Sequence, residues 1–186
     1  MGKSHLLVIS LLFFCCCVSQ LRGESASVGR GGPYIQYHVM PLSNFDAELS
    51  GNPLVIGGVG FATVSRNFRL GGGGGGGFLW NGSNNVTFGM GYGGVVGELG
   101  ITTWLNARLM IGGGGYAVAK IVSETISERT LSKVNSDGFL LFLPSLHFDF
   151  PIHNWLKFSA SLGYFLPNNS RLHSVTIGVG LLFGKI

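Results

Sequence analysis

The sequence predicts an all-β protein, an eight-stranded antiparallel up-and-down transmembrane β-barrel. The 186-residue chain is 46% hydrophobic and only 11% charged, with a mean hydropathy of +0.40. Beyond its first two dozen residues it contains no run approaching the roughly 18 apolar residues that a membrane-spanning helix needs. Instead, large apolar residues alternate with small or polar ones over segments of about ten residues, which is typical of barrel strands between lipid and lumen.

The composition excludes several other classes of protein. The 32 glycines cluster, seven of them as residues 71–77, and only 6 prolines are present, so a collagen triple helix is excluded. The low charge is opposite to that of chains disordered by charge. The 12 Lys and Arg residues barely outnumber the 8 Asp and Glu residues, so we expect no nucleic-acid partner.

The N-terminal segment has the order of a secretory signal. Lys3 and His5 precede an apolar run over residues 6–18, and small or polar residues follow. Residues 1–23 are therefore predicted to be a cleaved signal peptide, and residues 24–186 the transmembrane barrel domain. All three cysteines lie in the apolar run, so the exported chain is expected to contain no disulfide.

Four segments show the alternation that distinguishes a lipid-facing barrel from a soluble β core. The large residues of one parity are Val86, Phe88, Met90 and Tyr92; Leu140, Phe142, Leu146, Phe148 and Phe150; Leu156, Phe158, Leu162 and Tyr164; and Val175, Ile177, Val179, Leu181 and Phe183. The opposite parity is mostly Gly, Ser and Thr rather than the charged residues of a wet surface. We therefore expect these large side chains to face hydrocarbon and the small ones to face the lumen.

Turn residues between these segments divide the chain into eight strands. The predicted strands are residues 33–41, 53–64, 67–80, 85–100, 106–122, 137–151, 154–166 and 172–184. Tight connections follow the second, fourth and sixth strands, and long polar ones follow the first and fifth. This alternation places the tight turns and both termini at a periplasmic end, and the longer connections outside.

With these alternating runs, the signal peptide and the terminal strand over residues 175–183, the chain resembles the small eight-stranded outer-membrane barrels of Gram-negative-type bacteria. The resemblance covers residues 30–186 and rests on pattern, without a motif specific to one member. It implies an outer-membrane location, contact with outer-membrane lipid and a monomer. A barrel of eight strands is just wide enough for its side chains to fill, so no open diffusion pore is expected.

Ionisable residues of the inward parity gather near the periplasmic ends of the predicted strands. They are Arg69, Arg108, His147, Asp149 and Lys157, and Glu98 joins them if Gly93–Gly94 forms a β-bulge that swaps the faces. Because an unpaired buried ion costs several kcal/mol, we expect these charges to pair in a structural cluster.

Catalytic, metal and cofactor sites are not expected. Ser145, His147 and Asp149 share one face, but residues at i, i+2 and i+4 of a strand spread over about 13 Å, too far to hydrogen-bond in series. The histidines are dispersed, and no phosphate-loop motif follows the glycine runs, so we predict no metal and no cofactor.

Aromatic residues and charged loops have simpler interpretations. An aromatic girdle at headgroup level is predicted from Tyr34, Tyr37, Trp80, Trp104, Trp155 and Tyr164. The most charged connection, residues 123–136, is the predicted place of contact with another molecule. Its charged residues are Glu124, Glu128, Arg129 and Lys133.

The sequence thus favours a non-enzymatic outer-membrane barrel with a structural or surface-interaction role through its extracellular loops. One alternative is an exported, soluble, glycine-rich β module such as a sandwich, which would bind a partner through its apolar face. The other is a lipid-modifying outer-membrane enzyme.

Overall fold

The chain folds into a closed eight-stranded barrel, which confirms the predicted fold class. A computed structural model describes residues 29–40, 51–81, 86–125 and 128–184, with the backbone alone for residues 80–81, 120–125 and 128–134. Every strand pairs antiparallel with the next, and β1 pairs with β8 to close the barrel. The strands are β1 (Gly29–Val39), β2 (Leu54–Thr63), β3 (Phe68–Asn81), β4 (Val86–Gly100), β5 (Leu105–Thr125), β6 (Glu128–His153), β7 (Leu156–Pro167) and β8 (Ser174–Gly184). The two-sheet sandwich considered above is not the fold that forms.

The barrel has two distinct ends. The short connections β2–β3, β4–β5 and β6–β7 lie at the same end as the start of β1 and the end of β8, where Arg30 pairs with Gly184. We call this the turn end, and the opposite end the mouth. A 3-10 turn, Ser170–Leu172, lies in the β7–β8 connection at the mouth. In the part of the chain that the structure describes, no helix is long and apolar enough to cross a membrane.

The predicted loop over residues 123–136 is wrong, because strand pairing continues almost to the tip of the β5–β6 connection. The ladder runs to the pair Thr125 and Glu128, with register shifts between Val118 and Ala119 and between Ile121 and Ser123. The segment contains β-branched residues, which favour the extended backbone, and cross-strand bonds satisfy its N–H and C=O groups. The loop was predicted because the segment is rich in charged residues, but charge does not prevent strand pairing.

Large apolar side chains cover the outside of β6, β7 and β8, as the alternation predicts. Leu140 is 71% exposed, Leu162 50% and Val179 47%, whereas the intervening His147 and Thr176 are buried. A surface this apolar is unusual for a monomeric soluble protein, where exposed apolar patches rarely exceed a few hundred Å². The direction of these three strands therefore fits a barrel surrounded by hydrocarbon.

Strand β4 is oriented opposite to the prediction. Val86, Phe88, Met90 and Tyr92 are all buried inside the barrel, and the glycines between them face outward. The period-two alternation of β4 is confirmed, but the predicted direction of its large side chains is wrong. Large residues occur in a filled lumen as well as on a lipid-facing wall. The cavity of an eight-stranded barrel must be filled by some side chains, and β4 supplies many of them.

The glycine run of β3 makes room for those β4 side chains. Gly75 pairs with Tyr92 and Gly77 with Met90, so a large inward residue of β4 lies beside an inward glycine of β3. A Cβ added to Gly75 would lie 2.7 Å from Val55 Cγ1, closer than real side-chain contacts come. The inward glycines of the run are therefore required by packing in the lumen.

Candidate functional site

Glu98 lies at the centre of an ionic cluster in the lumen near the turn end. Its carboxylate is fully buried and contacts three guanidinium groups. Oε1 accepts hydrogen bonds from Arg30 and from Arg69, the latter at 2.8 Å. Oε2 accepts from Nη2 of Arg108 at 2.8 Å and from its Nε at 3.3 Å. Such charge-assisted bonds are among the strongest in proteins.

The strand register explains why these charges meet. Arg69 pairs directly with Glu98, and Glu98 with Arg108, so three adjacent strands present cation, anion and cation side by side. Both ladders of β4 pass through Gly93 and Gly94 without a register shift, so the bulge on which Glu98 was predicted to depend is absent. Glu98 faces the lumen because every even-numbered residue from Val86 onward does.

Arg30 extends the cluster to a second carboxylate. Its Nη2 contacts Glu98 and also lies 3.2 Å from Asp149 Oδ2. Asn106 donates a hydrogen bond of 2.9 Å to the same Asp149 oxygen. Neither Arg30 nor Asn106 was singled out from the sequence. Arg30 precedes the predicted first strand, but extending the parity of Gln36 and His38 back to residue 30 would have placed it inside.

Lys157 faces the lumen at the same end but has no ion-pair partner among the described residues. It is only 8% exposed. Four cations, Arg30, Arg69, Arg108 and Lys157, therefore accompany two carboxylates, an excess of two positive charges. The Arg108 guanidinium also lies over the Phe61 ring at 4.7 Å from its centroid, a favourable contact for a cation.

His147 lies beside the ionic cluster and bonds to serines rather than to carboxylates. Its Nε2 is 3.1 Å from Ser145 Oγ, and its Nδ1 is 3.4 Å from Ser159 Oγ. Ser145 and His147 therefore do form a hydrogen bond along β6, although the strand spacing predicted that these side chains are too far apart. Asp149 is engaged with Arg30 and Asn106 instead, so the three residues do not form a triad.

Aromatic side chains fill the lumen on the mouth side of this cluster. Phe165 contacts His38, Tyr92 and Phe139, with ring centroids 5.1, 5.3 and 5.7 Å apart. Two polar contacts lie within this layer. The Tyr92 hydroxyl donates to Gln36 Oε1 at 2.8 Å, and His38 Nδ1 lies 3.2 Å from Ser174 Oγ. The lumen is therefore divided into an ionic layer and an aromatic layer.

The predicted aromatic girdle is only partly right. Tyr37, Trp104, Trp155 and Tyr164 are exposed on the outside. Tyr34 instead has the inward parity of β1 and lines an internal cavity, because residues 30, 34, 36 and 38 share one face. The side chain of Trp80 lies outside the described part of the chain.

The β5–β6 hairpin extends beyond its neighbours at the mouth. Strand β4 begins at Val86, which pairs with Lys120, and β7 ends at Pro167, which pairs with Leu141. Residues 121–125 of β5 thus continue about 17 Å past β4, at about 3.4 Å per residue. The predicted contact residues Glu124, Glu128, Arg129 and Lys133 fall on this hairpin; their side chains lie outside the described residues.

Across the described ranges, no group of three or more His, Cys, Asp or Glu residues is arranged to hold a metal ion. The two carboxylates of the ionic cluster are instead bonded to arginines and to Asn106.

No family model and no curated protein sequence matches this chain. Solved structures do match its fold. The chain has the fold of the small eight-stranded outer-membrane β-barrels. Ail, the attachment invasion locus protein of Yersinia pestis, in complex with the heparin analogue sucrose octasulfate, matches with a TM-score of 0.53 and 15% identity over 85% of this chain and 97% of Ail.

Two further barrels match to a similar extent. The N-terminal β-barrel domain of OprF from Pseudomonas aeruginosa has a TM-score of 0.51 and 11% identity, covering 85% of this chain and 97% of that domain. Neisserial surface protein A (NspA) has a TM-score of 0.51 and 9% identity, covering 87% and 99%. At such identities the likeness establishes the eight-stranded barrel fold.

Proposed function

We propose that this protein is an outer-membrane β-barrel with a structural or surface-interaction role, exported by a signal peptide over residues 1–23 that is then cleaved. The single observation that carries the proposal is the apolar outer wall of a closed barrel. Large side chains such as Leu140, Leu162 and Ile177 are exposed on strands that each pair with a neighbour on both sides around the ring. A wall of this kind is stable in hydrocarbon, where no edge or unpaired backbone group is tolerated.

The lumen supports a role without an open diffusion pore. Near the turn end, Glu98 gathers three arginines, and on the mouth side Phe165 packs among other rings. These two layers occupy the interior with bonded or packed side chains, as expected for an eight-stranded barrel. We propose that the ionic cluster is a structural element that joins the strands across the lumen.

The surface role falls to the β5–β6 hairpin. Paired strands hold it in a defined shape beyond the barrel wall, and it carries Glu124, Glu128, Arg129 and Lys133. Rigid presentation lowers the entropy lost on binding. The common fold with Ail, which is named for attachment and invasion, supports a surface role of this general kind.

Membrane fractionation tests the location. The protein is expected to sediment with outer membranes, to require detergent for extraction and to change its gel mobility on boiling. Recovery in the soluble fraction without detergent would favour the exported, soluble β module instead.

Cysteine accessibility tests the orientation, since residues 24–186 contain no cysteine. Ser132→Cys on the hairpin should react with a membrane-impermeant maleimide on intact cells. Ser65→Cys, in the β2–β3 turn, is the matched control and should react only after the outer membrane is permeabilised. The reverse pattern would place the hairpin in the periplasm and exclude a surface role for it.

We also propose that the protein is not an enzyme. Ser145 and His147 face the lumen, and the acid beside them bonds elsewhere. Mass analysis of membrane lipids should show no difference between cells with and without the gene. The proposal would be overturned if the acylation of a lipid changes when the gene is removed, and if the wild-type gene but not the Ser145→Ala variant restores it.

A further inference from the structure

An internal cavity of about 30 Å³ lies beside the ionic cluster. Its polar lining includes Arg108, Ser145, His147, Ser159 and Ser161, and no Asp or Glu residue of the described chain lines it. A space of this size holds about one or two water-sized particles. Its polar wall is therefore rich in groups that can donate hydrogen bonds and lacks a carboxylate that would repel an anion.

The serine hydroxyls have protons available for a ligand. Ser145 and Ser159 bond to the two ring nitrogens of His147. When the imidazole carries its proton on Nδ1, it donates to Ser159 and accepts from Ser145 at Nε2, so the Ser159 hydroxyl keeps its own proton free. The Ser145 hydroxyl has a second acceptor, the Arg108 carbonyl oxygen at 3.5 Å. The hydroxyl of Ser161 makes no hydrogen bond to a described residue and is also free to donate.

The side chains around the cavity carry an excess of positive charge, which favours binding of an anion. The cluster holds four cations and two carboxylates, and both carboxylates are already engaged with Arg30. Lys157 is two residues from Ser159 on the same strand face and is buried without an ion-pair partner in the described ranges. Uncompensated buried ions are destabilising. A monovalent anion in the cavity would halve the excess.

The geometry points to a binding site for one small monovalent anion, of the size of chloride, between Arg108 and the hydroxyls of Ser159 and Ser161. The cavity is too small for phosphate or for a carboxylic acid with a chain. The site depends on the barrel fold and not on the surface role proposed above.

Bromide, a halide with an anomalous X-ray signal, tests the site directly. Crystals of the full barrel grown in detergent with bromide should show an anomalous peak in the cavity. Thermal unfolding, followed by gel mobility, should occur at a higher midpoint in bromide or chloride than in gluconate at equal ionic strength, and the effect should saturate.

A double variant separates the site from general salt effects. In the double variant Ser159→Ala/Ser161→Ala, the halide concentration that gives half of the maximal rise in unfolding midpoint should increase at least tenfold. Ser174→Ala, which removes a buried lumen serine outside the cavity, is the matched control and should leave that concentration unchanged. Equal stabilisation by gluconate, or an unchanged concentration in the double variant, would overturn the proposal. If the double variant does not fold, the wild-type crystal decides, and the absence of a bromide peak from the cavity refutes the site.

Discussion

Arg30 and Glu98 form an ion pair across the lumen, although their strands, β1 and β4, are three places apart around the barrel. Arg30 also reaches Asp149 on β6, so one side chain joins three strands that do not neighbour one another. This connection requires the closed barrel, because cross-strand pairing alone does not bring these residues together. The ionic cluster is therefore a tertiary crosslink inside a structure otherwise held by neighbouring ladders.

Glu98→Gln should strongly destabilise the barrel. It removes the carboxylate shared by three arginines and leaves their charges buried together. Removing one partner of a buried ionic group typically costs about 3–5 kcal/mol. Urea unfolding of the barrel in detergent, followed by gel mobility, measures the loss. Asp137→Asn at an exposed position is the control and should change stability by less than about 0.5 kcal/mol. A loss for Glu98→Gln no larger than that of the control would show that the cluster is not a stabilising crosslink.

Arg30→Gln should cost less than Glu98→Gln. Glu98 keeps Arg69 and Arg108, Asp149 keeps the hydrogen bond from Asn106, and the positive excess in the lumen falls by one. A loss of about 1–3 kcal/mol is expected, typical of leaving buried polar groups with fewer partners. The same unfolding experiment gives the order of the two variants, and a larger loss for Arg30→Gln would contradict the central role of Glu98.

The sequence predicts strand number and most strand bounds because turn residues and period-two alternation are local properties. It predicts the direction of a face only where the second parity contains polar residues, as in β6, where Ser145, His147 and Asp149 mark the lumen side. In β4 the pattern fits either direction, since Met90 and Tyr92 alternate with glycine alone. Which face of β4 is inside depends on its neighbours, above all on the glycines of β3, and this is a non-local property.

Membership of the ionic cluster is non-local for the same reason. The inward parity of Arg69, Arg108 and Asp149 could be read along each strand, whereas the contacts depend on the register between strands. Arg30 precedes the predicted start of β1. Asn106 is of a residue type that also occurs in turns. A sequence therefore indicates which charges enter the lumen, but the partner of each is fixed by barrel closure.

Gly75→Ala should destabilise the barrel, whereas Gly76→Ala should not. The new Cβ at residue 75 would lie 2.7 Å from Val55 Cγ1 and 3.1 Å from the Ile56 carbonyl oxygen. At residue 76 the nearest atom, the Met90 carbonyl oxygen, is 3.7 Å away. Overpacking a filled interior typically costs about 1–3 kcal/mol. Unfolding midpoints in urea compare this adjacent pair, and equal effects would show that the glycine run is not required by lumen packing.

Val179→Arg should be much more harmful in a bilayer than Ile152→Arg. Both side chains are exposed and apolar, but Val179 lies midway along β8, while Ile152 is next to the β6–β7 turn. A cation on the lipid face costs about 2–4 kcal/mol at the bilayer midplane and about 0–1 kcal/mol near the interface. Unfolding by guanidinium in phospholipid vesicles measures both losses, with Val179→Ala as the control for lost side-chain volume. Equal losses at the two positions would mean that the middle of the apolar wall is no deeper in hydrocarbon than the turn end, and the transmembrane orientation would have to be abandoned.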